Sequence, residues 1–235
     1  KNVVDDVSFN VSVGECLGIV GKSGSGKSTS AKIAARLIDA DSGEIFFNGE
    51  DITNLNGKRL VKVYENMKMI FQSPIDSFNP RQTLGFSIAE TFINLGKNKD
   101  EINFRIKSLL KEVGLKEEHL SRYPHEVSGG ECQRAAILRA VMLKPKLLIS
   151  DEATSALDEA IEADIVDLIK NLCEKENIAC LFITHNLGLL KKIADRVLVM
   201  DNGKVVETGD ANEIINAPKS LAAKELVEAF EFFRS

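Results

Sequence analysis

Hydrophobic and polar positions along the chain follow two periods, one typical of strands and one of helices. Short apolar runs bounded by Gly, Pro or polar residues predict strands over 3–11, 15–20, 43–48, 68–72, 146–150 and 178–184. Apolar residues at helical spacing predict helices over 27–38, 158–175 and most of 85–143. The last of these regions is broken at Gly96, Gly114 and Pro124. The C-terminal part adds a helix, two short strands around Asn202-Gly203 and two further helices.

The order of these elements predicts the fold class. Strands that alternate with helices at both ends of the chain are typical of a parallel α/β core. Asn48-Gly49 is a two-residue hairpin signal, so we expect a small N-terminal antiparallel β-subdomain beside that core. The helical stretch over about 85–145 is expected to form a subdomain inserted into the core. We therefore expect residues 1–235 to make a single α/β domain with these two additions.

Composition and charge agree with a folded globular chain. Of the 235 residues, 44% are hydrophobic and 28% are charged, which excludes wholesale disorder. The formal net charge of -5 argues against a broad basic face, so no nucleic-acid partner is expected. This charge still allows a local anion site, because backbone N–H groups bind phosphate without net positive charge.

The sequence lacks the usual signals for membrane insertion, secretion and disulfide formation. No apolar run approaches the roughly 18 residues that a membrane span needs, so any membrane role is expected to come through a partner. The four cysteines lack C-x-x-C spacing and predict free thiols in a reducing compartment, without disulfides or a zinc site. Because Lys1 opens a strand-like segment without a preceding methionine, we expect the native N-terminus to lie upstream.

A glycine-rich loop over residues 21–29 predicts a phosphate site. It reads G-K-S-G-S-G-K-S-T and fits the P-loop pattern G-x-x-x-x-G-K-[ST], between a predicted strand and a predicted helix. Glycines let successive N–H groups turn to one point at a helix N-terminus, where the dipole favours anions. Lys27 is expected to reach the β- and γ-phosphates of a nucleotide, and Ser28 to ligate Mg²⁺. The predicted nucleotide-binding residues are Gly21, Lys22, Ser23, Gly24, Ser25, Gly26, Lys27, Ser28 and Thr29.

Two carboxylates follow a buried strand in the second half of the chain. Asp151 and Glu152 stand at the C-terminal end of a predicted parallel strand, where open α/β sheets bind ligands. By themselves they would be explained by capping and charge at the start of the following helix. With a P-loop in the same sheet, we expect Asp151 to hold Mg²⁺ and Glu152 to act as general base toward water.

A second glycine motif precedes a strongly helical run. It reads Val127-Ser128-Gly129-Gly130-Glu131, and alone it is weak evidence because many loops begin helices in this way. Together with the P-loop and the acidic pair, in this order and at these separations, it resembles the signature of ABC-type ATPases. The resemblance covers nearly the whole chain and implies an ATPase that uses ATP and Mg²⁺.

Three further residues match motifs of that family, and the resemblance implies their roles. Gln72 stands at the Q-loop position and would join the Mg²⁺ site and the catalytic group. His185 matches the switch histidine and would be catalytic together with Glu152. Asp158, which ends the D-loop stretch S-A-L-D, would couple two ATP sites across a dimer. Apart from the family, Gln72 would be an ordinary surface residue and His185 a helix-entry residue.

The resemblance also implies partners. In this family two nucleotide-binding domains associate head to tail, and the P-loop of one domain and the signature of the other enclose each ATP. Ser128, Gly129, Gly130 and Glu131 would therefore serve the ATP of a second ATPase subunit, either a paralogue or a copy. Two transmembrane permease subunits, and indirectly an extracytoplasmic solute-binding protein, would complete the assembly at the cytoplasmic face of the cell (inner) membrane.

The chain departs from the family pattern at three places. The signature has Val127 where leucine is usual and Glu131 where glutamine is usual. The aromatic residue that stacks on adenine in this family is expected upstream of Lys1. The motif His-Pro-Tyr-Thr, common in peptide importers, is absent from the matching positions 217–221.

The transported substrate is predicted from local similarities. The segment S-F-N-P-R at 77–81 is similar to importers of peptides and of nickel. The stretches A-C-L-F-I-T-H at 179–185 and V-M-D-N-G-K-V-V-E-T at 199–208 are more similar to the nickel-import ATPase. We therefore expect uptake of nickel or a metal chelate, with di- or oligopeptide import as the alternative.

Other classes of P-loop protein account for fewer of these features. A kinase or GTPase would leave the second glycine motif and His185 unexplained, and the base-reading motif N-K-x-D does not occur. A non-transport ABC ATPase acting on DNA or ribosomes would have long coiled-coil insertions or a basic, duplicated chain. This chain is short, acidic and unduplicated.

Overall fold

The structure is a computed structural model that describes residues 2–155 and 157–232, so Ala156 of the predicted D-loop stretch lies outside the described residues. The strands are β1 (Cys16–Val20), β2 (Phe46–Phe47), β3 (Glu50–Asp51), β4 (Met67–Ile70), β5 (Leu147–Asp151), β6 (Ala179–Ile183), β7 (Arg196–Asp201) and β8 (Lys204–Asp210). The helices are α1 (Lys27–Ala34), α2 (Gly57–Asn66), α3 (Leu84–Asn94), α4 (Lys99–Leu110), α5 (Gly129–Val141), α6 (Glu159–Glu176), α7 (Leu187–Ile193), α8 (Ala211–Asn216) and α9 (Leu221–Phe232).

A six-stranded sheet with the order β4-β5-β6-β1-β7-β8 forms the core. The pairs β4–β5, β5–β6, β6–β1 and β1–β7 are parallel, and only the pairing of β8 with β7 is antiparallel. The predicted parallel α/β core is therefore confirmed. Because parallel strands end at the same edge, the loops after β1, β4, β5 and β6 all leave the sheet on one side.

The two faces of the sheet are covered by separate groups of apolar side chains. Along β1 the side chains alternate, so that Leu17 and Ile19 pack with Ala31 of α1 on one face. Val20 belongs to the other face, which packs with the helices that include α5 and α6. The sheet is thus a buried layer between two helical layers, and all five residues of β1 are buried.

The antiparallel addition is a hairpin of β2 and β3. Asn48 and Gly49 connect the strands with φ angles of 53° and 81°. Positive φ at both central residues is the conformation that a two-residue hairpin turn with right-handed strand twist requires. The hairpin predicted from Asn48-Gly49 is confirmed.

The strand predicted over 3–11 is wrong. Residues 2–15 contain no strand, and Asp6 has the left-handed φ of 53°. Val7, Phe9 and Val11 are nevertheless half-buried and pack on the β1 face that carries Leu17. The period of two therefore reflects packing on a sheet face, because it occurs here without the ladder of hydrogen bonds that defines a strand.

Helix α1 ends earlier than the apolar spacing predicts. Arg36 has a φ of 55°, and its N–H donates to Ile33 O at 2.9 Å while Leu37 N–H donates to Lys32 O at 2.9 Å. This pair of bonds closes the helix with a left-handed residue at its end. The arginine is retained there by its own side chain, whose Nε donates to Ile52 O at 3.0 Å.

Helices α3, α4 and α5 occupy most of the stretch predicted to be helical. Gly96 and Gly114, with φ angles of 70° and 71°, lie at the breaks that follow α3 and α4. Helix α5 packs against α3 and α6 and against β4, so it joins these helices to the sheet. Within the described ranges, no helix is long and apolar enough to cross a membrane.

Candidate functional site

The loop between β1 and α1 closes tightly around its own glycines. Gly24 and Gly26 have φ angles of 76° and 101°, which a residue with a Cβ adopts only under strain. Gly21 is needed for a different reason, because a Cβ there would collide with the carbonyl oxygen of Met200. The N–H groups in the first turn of α1 have no partner within the helix, so the compact loop that precedes them suits an anion.

Lys27 is the buried cation of this loop. Its side chain is only 5% exposed, and its Nζ donates to Gly21 O at 2.8 Å and to Lys22 O at 3.0 Å. Burial lowers the pKa of Lys27 from its usual value, while the carboxylates of Glu152 and Asp151 act in the opposite direction. The ammonium group is thus held inside the loop, where it can neutralise a phosphate.

Ser28 and Asp151 form the second part of the site. Ser28 Oγ donates to Asp151 Oδ1 at 2.6 Å, and Asp151 is buried at the end of β5. A hydroxyl and a carboxylate are hard oxygen ligands, and Mg²⁺ is usually bound by one or two carboxylates together with substrate phosphates. Ser25 Oγ on the same loop is buried and unpartnered among the described residues, as fits a loop made for a ligand rich in oxygen. These residues fit a Mg²⁺–nucleotide complex.

Glu152 has an uncommon backbone conformation. Its φ is 47°, a left-handed value for a residue with a side chain, and its N–H donates to Ile183 O at 3.0 Å. Ser155 Oγ donates to Glu152 O at 3.0 Å and fixes the turn from the other side. The carboxylate is 23% exposed and its Oε1 lies 3.9 Å from Lys27 Nζ. The turn therefore presents a carboxylate oxygen beside the phosphate loop.

Gln72, His185 and Asp158 lie on the loops around this group. Gln72 Nε2 donates to Ser155 Oγ at 3.3 Å, so its contact is with the loop after Glu152 and not with the Ser28–Asp151 pair. His185 is exposed in the loop between β6 and α7, two residues after the end of β6. Asp158 occupies the position before α6, where its side chain makes no capping bond in the described structure.

The second glycine motif begins α5 and packs on the start of α6. Ser128 and Gly129 are exposed, while Gly130 is buried. A Cβ on Gly130 would lie 3.1 Å from Ile161, which is a tight approach, whereas one on Gly129 would lie 3.6 Å from Leu157, an ordinary contact. Close packing on α6 therefore restricts the side chain at Gly130 and not at Gly129.

Glu162 is a site residue that the sequence motifs do not indicate. Its side chain is buried on α6, where it accepts hydrogen bonds from Thr154 Oγ1 at 2.7 Å and from Asn186 Nδ2 at 3.5 Å. Thr154 follows Glu152 by two residues, and Asn186 follows His185. One carboxylate thus joins the two loops that carry these residues. The available signal was an acidic residue on the apolar stripe of a helix, next to Ile165 and Val166.

The comparison with known families establishes the class of protein. Residues 4–155 match the family model described as ABC transporter. The chain belongs to the ABC transporter family, which confirms the resemblance inferred from the motifs. It is an ATPase of this family and binds and hydrolyses ATP.

Two relatives show how far the similarity extends. The oligopeptide transport ATP-binding protein OppF of Bacillus subtilis (strain 168) is 44% identical over 229 residues, which cover 96% of this chain and 75% of the relative. The dipeptide transport ATP-binding protein DppF of Lactococcus lactis subsp. cremoris (strain MG1363) is 41% identical over 233 residues, covering 97% of this chain and 75% of the relative.

A solved structure agrees with the fold. The dimeric post-hydrolysis state of the ATP-binding cassette MJ0796, bound to ADP and Pi, superposes with a TM-score of 0.80. It is 27% identical in sequence, and the match covers 89% of this chain and 90% of that one. The predicted α/β ABC ATPase fold is therefore confirmed.

We expect Glu162→Gln to lower the rate of ATP hydrolysis about tenfold or more, because a small displacement of the loops that carry Glu152 and His185 slows the reaction. A glutamine still accepts from Thr154, but its amide group faces the Asn186 donor and replaces an acceptor with a second donor. Glu159→Gln on the exposed first turn of the same helix removes an equal charge and serves as the control. Steady-state hydrolysis by E162Q equal to that of E159Q would contradict the bridging role.

Proposed function

We propose that this chain is the ATP-hydrolysing subunit of a membrane importer for di- or oligopeptides. The observation that carries the ATPase part is the 2.6 Å contact of Ser28 Oγ with Asp151 Oδ1 beside the buried Lys27. The peptide part is supported by relatives named for oligopeptide and dipeptide transport, whose lengths this chain spans to about three-quarters. These names favour the peptide alternative over the nickel or metal-chelate import expected first from the sequence.

The loop over 21–29 is proposed to hold the phosphates of ATP. Its backbone N–H groups would donate hydrogen bonds to the β- and γ-phosphates at the start of α1, and Lys27 would leave its loop carbonyls to neutralise them. Ser28 and Asp151 would hold Mg²⁺, and Gln72 would join them by a rearrangement away from Ser155. When bound, the cation supplies positive charge to the oxygens of the transferred phosphoryl group.

Hydrolysis is proposed to proceed by direct attack of water. Glu152 would accept a proton from the water at its carboxylate as the water oxygen bonds to the γ-phosphorus. The bond from the γ-phosphorus to the bridging oxygen breaks, and ADP and phosphate leave. His185 would hold the γ-phosphate from the end of β6, and Lys27 would balance the charge of the leaving group.

The glycine motif at α5 is proposed to complete the site of a second ATPase subunit. Ser128, Gly129, Gly130 and Glu131 would face the γ-phosphate held by the partner's loop, and Asp158 would link the two sites. The support is that Ser128 and Gly129 are exposed at a helix N-terminus. The partner is proposed to be a paralogue or a copy arranged head to tail.

The remaining partners follow from the import role. Two transmembrane permease subunits would place this chain at the cytoplasmic face of the cell membrane, and a solute-binding protein would act on the other side. The stretch 85–145 is proposed to serve as an inserted helical subdomain that carries the signature within a single domain of residues 1–235. No nucleic-acid partner is proposed.

The assignment of the general base is tested by Glu152→Gln. We expect MgATP binding to be retained, because Lys27 and Ser28 remain, while turnover falls about 10²-fold or more. Binding is measured by calorimetry and turnover by phosphate release. Glu174→Gln, an exposed change of equal charge on α6, is the control. Phosphate release by E152Q at the control rate would exclude Glu152 as the base.

The proposed sandwich predicts that activity depends on association. The isolated chain should hydrolyse ATP slowly and gain activity with concentration or with its partner ATPase, because each half-site is incomplete alone. Specific activity is measured against protein concentration, with the oligomeric state followed by light scattering. A concentration-independent rate in a demonstrated monomer would rule out the sandwich.

The substrate proposal is tested on the cognate solute-binding protein. We expect calorimetry to show binding of di- or oligopeptides at micromolar or lower Kd, with no response to Ni²⁺ or its chelates. The same titrations on a variant with a blocked ligand pocket provide the baseline. Tight Ni²⁺ binding without a peptide response would reverse the substrate assignment and leave the ATPase mechanism intact.

A further inference from the structure

The hydroxyl of the signature serine is already engaged by a residue of its own helix. Ser128 Oγ lies 2.9 Å from Glu131 Oε2, and this carboxylate oxygen also accepts the Ser128 backbone N–H at 2.8 Å. Glu131 N–H in turn lies 3.3 Å from Ser128 Oγ. Together these bonds form a capping box at the start of α5, with the glutamate carboxylate folded over the serine.

The direction of the hydroxyl proton follows from the chemistry of the two groups. An ionised carboxylate has no proton to donate, so the single proton of the Ser128 hydroxyl must point to Glu131. The pKa of Glu131 is lowered, chiefly by the Ser128 backbone N–H and then by the Ser128 side chain, so the carboxylate is charged at neutral pH. The serine therefore cannot donate to a phosphate while this bond persists.

A second contact holds the carboxylate from the other side. His119 Nε2 lies 3.3 Å from Glu131 Oε1, and His119 Nδ1 accepts the Lys116 backbone N–H at 2.9 Å. The accepted bond at Nδ1 leaves the ring proton on Nε2 in the neutral histidine, where it donates to Glu131. The imidazole is only 15% exposed, so Glu131 is braced in place on the serine.

We propose that Glu131 is a positioning residue that occupies the signature half-site in place of the partner's γ-phosphate. It takes the Ser128 hydroxyl and brings a negative charge to the helix N-terminus that a phosphate would use. A nucleotide held by the partner must displace this carboxylate before the dimer closes, so Glu131 sets the ATP concentration at which closure occurs. This inference rests on the proposed role of the signature in the partner's site.

The proposed displacement depends on the charge of Glu131 and not on its shape. A glutamine at the same position also completes a capping box, because its amide oxygen accepts the same N–H group. Its neutral oxygen is a weaker acceptor than a carboxylate, and it does not repel a phosphate. Removing the charge while keeping the cap therefore isolates the proposed effect from helix stability.

The test uses the purified transporter complex that contains this chain, with Glu131→Gln compared with the wild type. We expect the ATP concentration for half-maximal hydrolysis to fall about three- to tenfold, because one like charge near the phosphate is removed. The difference should shrink between about 0.05 M and about 0.5 M salt, since ions screen exposed charges. A role in folding alone would not give this salt dependence.

The control is Glu126→Gln. Glu126 accepts the Tyr123 backbone N–H at 2.8 Å in a similar capping box two residues before Ser128, and it loses the same charge without releasing the serine. Its half-saturating ATP concentration should stay within about twofold of wild type, as expected for an exposed charge. His119→Ala removes the brace from Glu131, so we expect a smaller decrease in the same direction.

Ser128→Ala separates the role of the signature from the role of Glu131. If S128A leaves the ATP dependence of the complex unchanged, the proposed signature role fails and the inference fails with it. If S128A impairs hydrolysis but E131Q has an unchanged or higher half-saturating ATP concentration, only the role of Glu131 is overturned. A decrease in E131Q that is matched by E126Q would also overturn it, because the effect would then be general charge.

Discussion

The parallel pairing of β5, β6 and β1 is the constraint on which the site depends. In this register Asp151 lies opposite Ile183, and Ile19 lies opposite the same Ile183 from the other side. The C-terminal ends of β5, β6 and β1 therefore lie side by side at one edge of the sheet. A shift of one residue in β5 would turn the Asp151 side chain to the opposite face and break its bond with Ser28.

Buried charge at this edge is balanced locally. Lys27 has lost most of its hydration, which its loop carbonyls and the nearby Asp151 and Glu152 compensate. Glu162 is held in the same manner by Thr154 and Asn186. Because the Glu162 carboxylate accepts hydrogen bonds from two different loops, a displacement of one loop reaches the other through these bonds.

Helix α5 connects this edge to the signature. Its Arg139 donates to Ser77 O at 2.8 Å and to Ser77 Oγ at 2.9 Å, and its guanidinium lies 4.1 Å from the centre of the Phe78 ring. Those two residues belong to the segment that follows Gln72. The same helix therefore begins directly after Ser128 and is attached near its C-terminal end to the segment after Gln72, so it links two of the predicted motifs.

The sequence by itself determined the features that depend on local backbone chemistry. Some features need particular residue types at fixed spacing and can be predicted from the sequence alone. They are the phosphate loop, the hairpin at Asn48-Gly49 and the helix break at Gly96. Tertiary structure decided what depends on contacts between distant segments. The alternating residues over 3–11 pack on the sheet without forming a strand. Gln72 contacts Ser155, and His119 contacts Glu131. Such contacts follow from sheet register and helix packing, which no local pattern encodes.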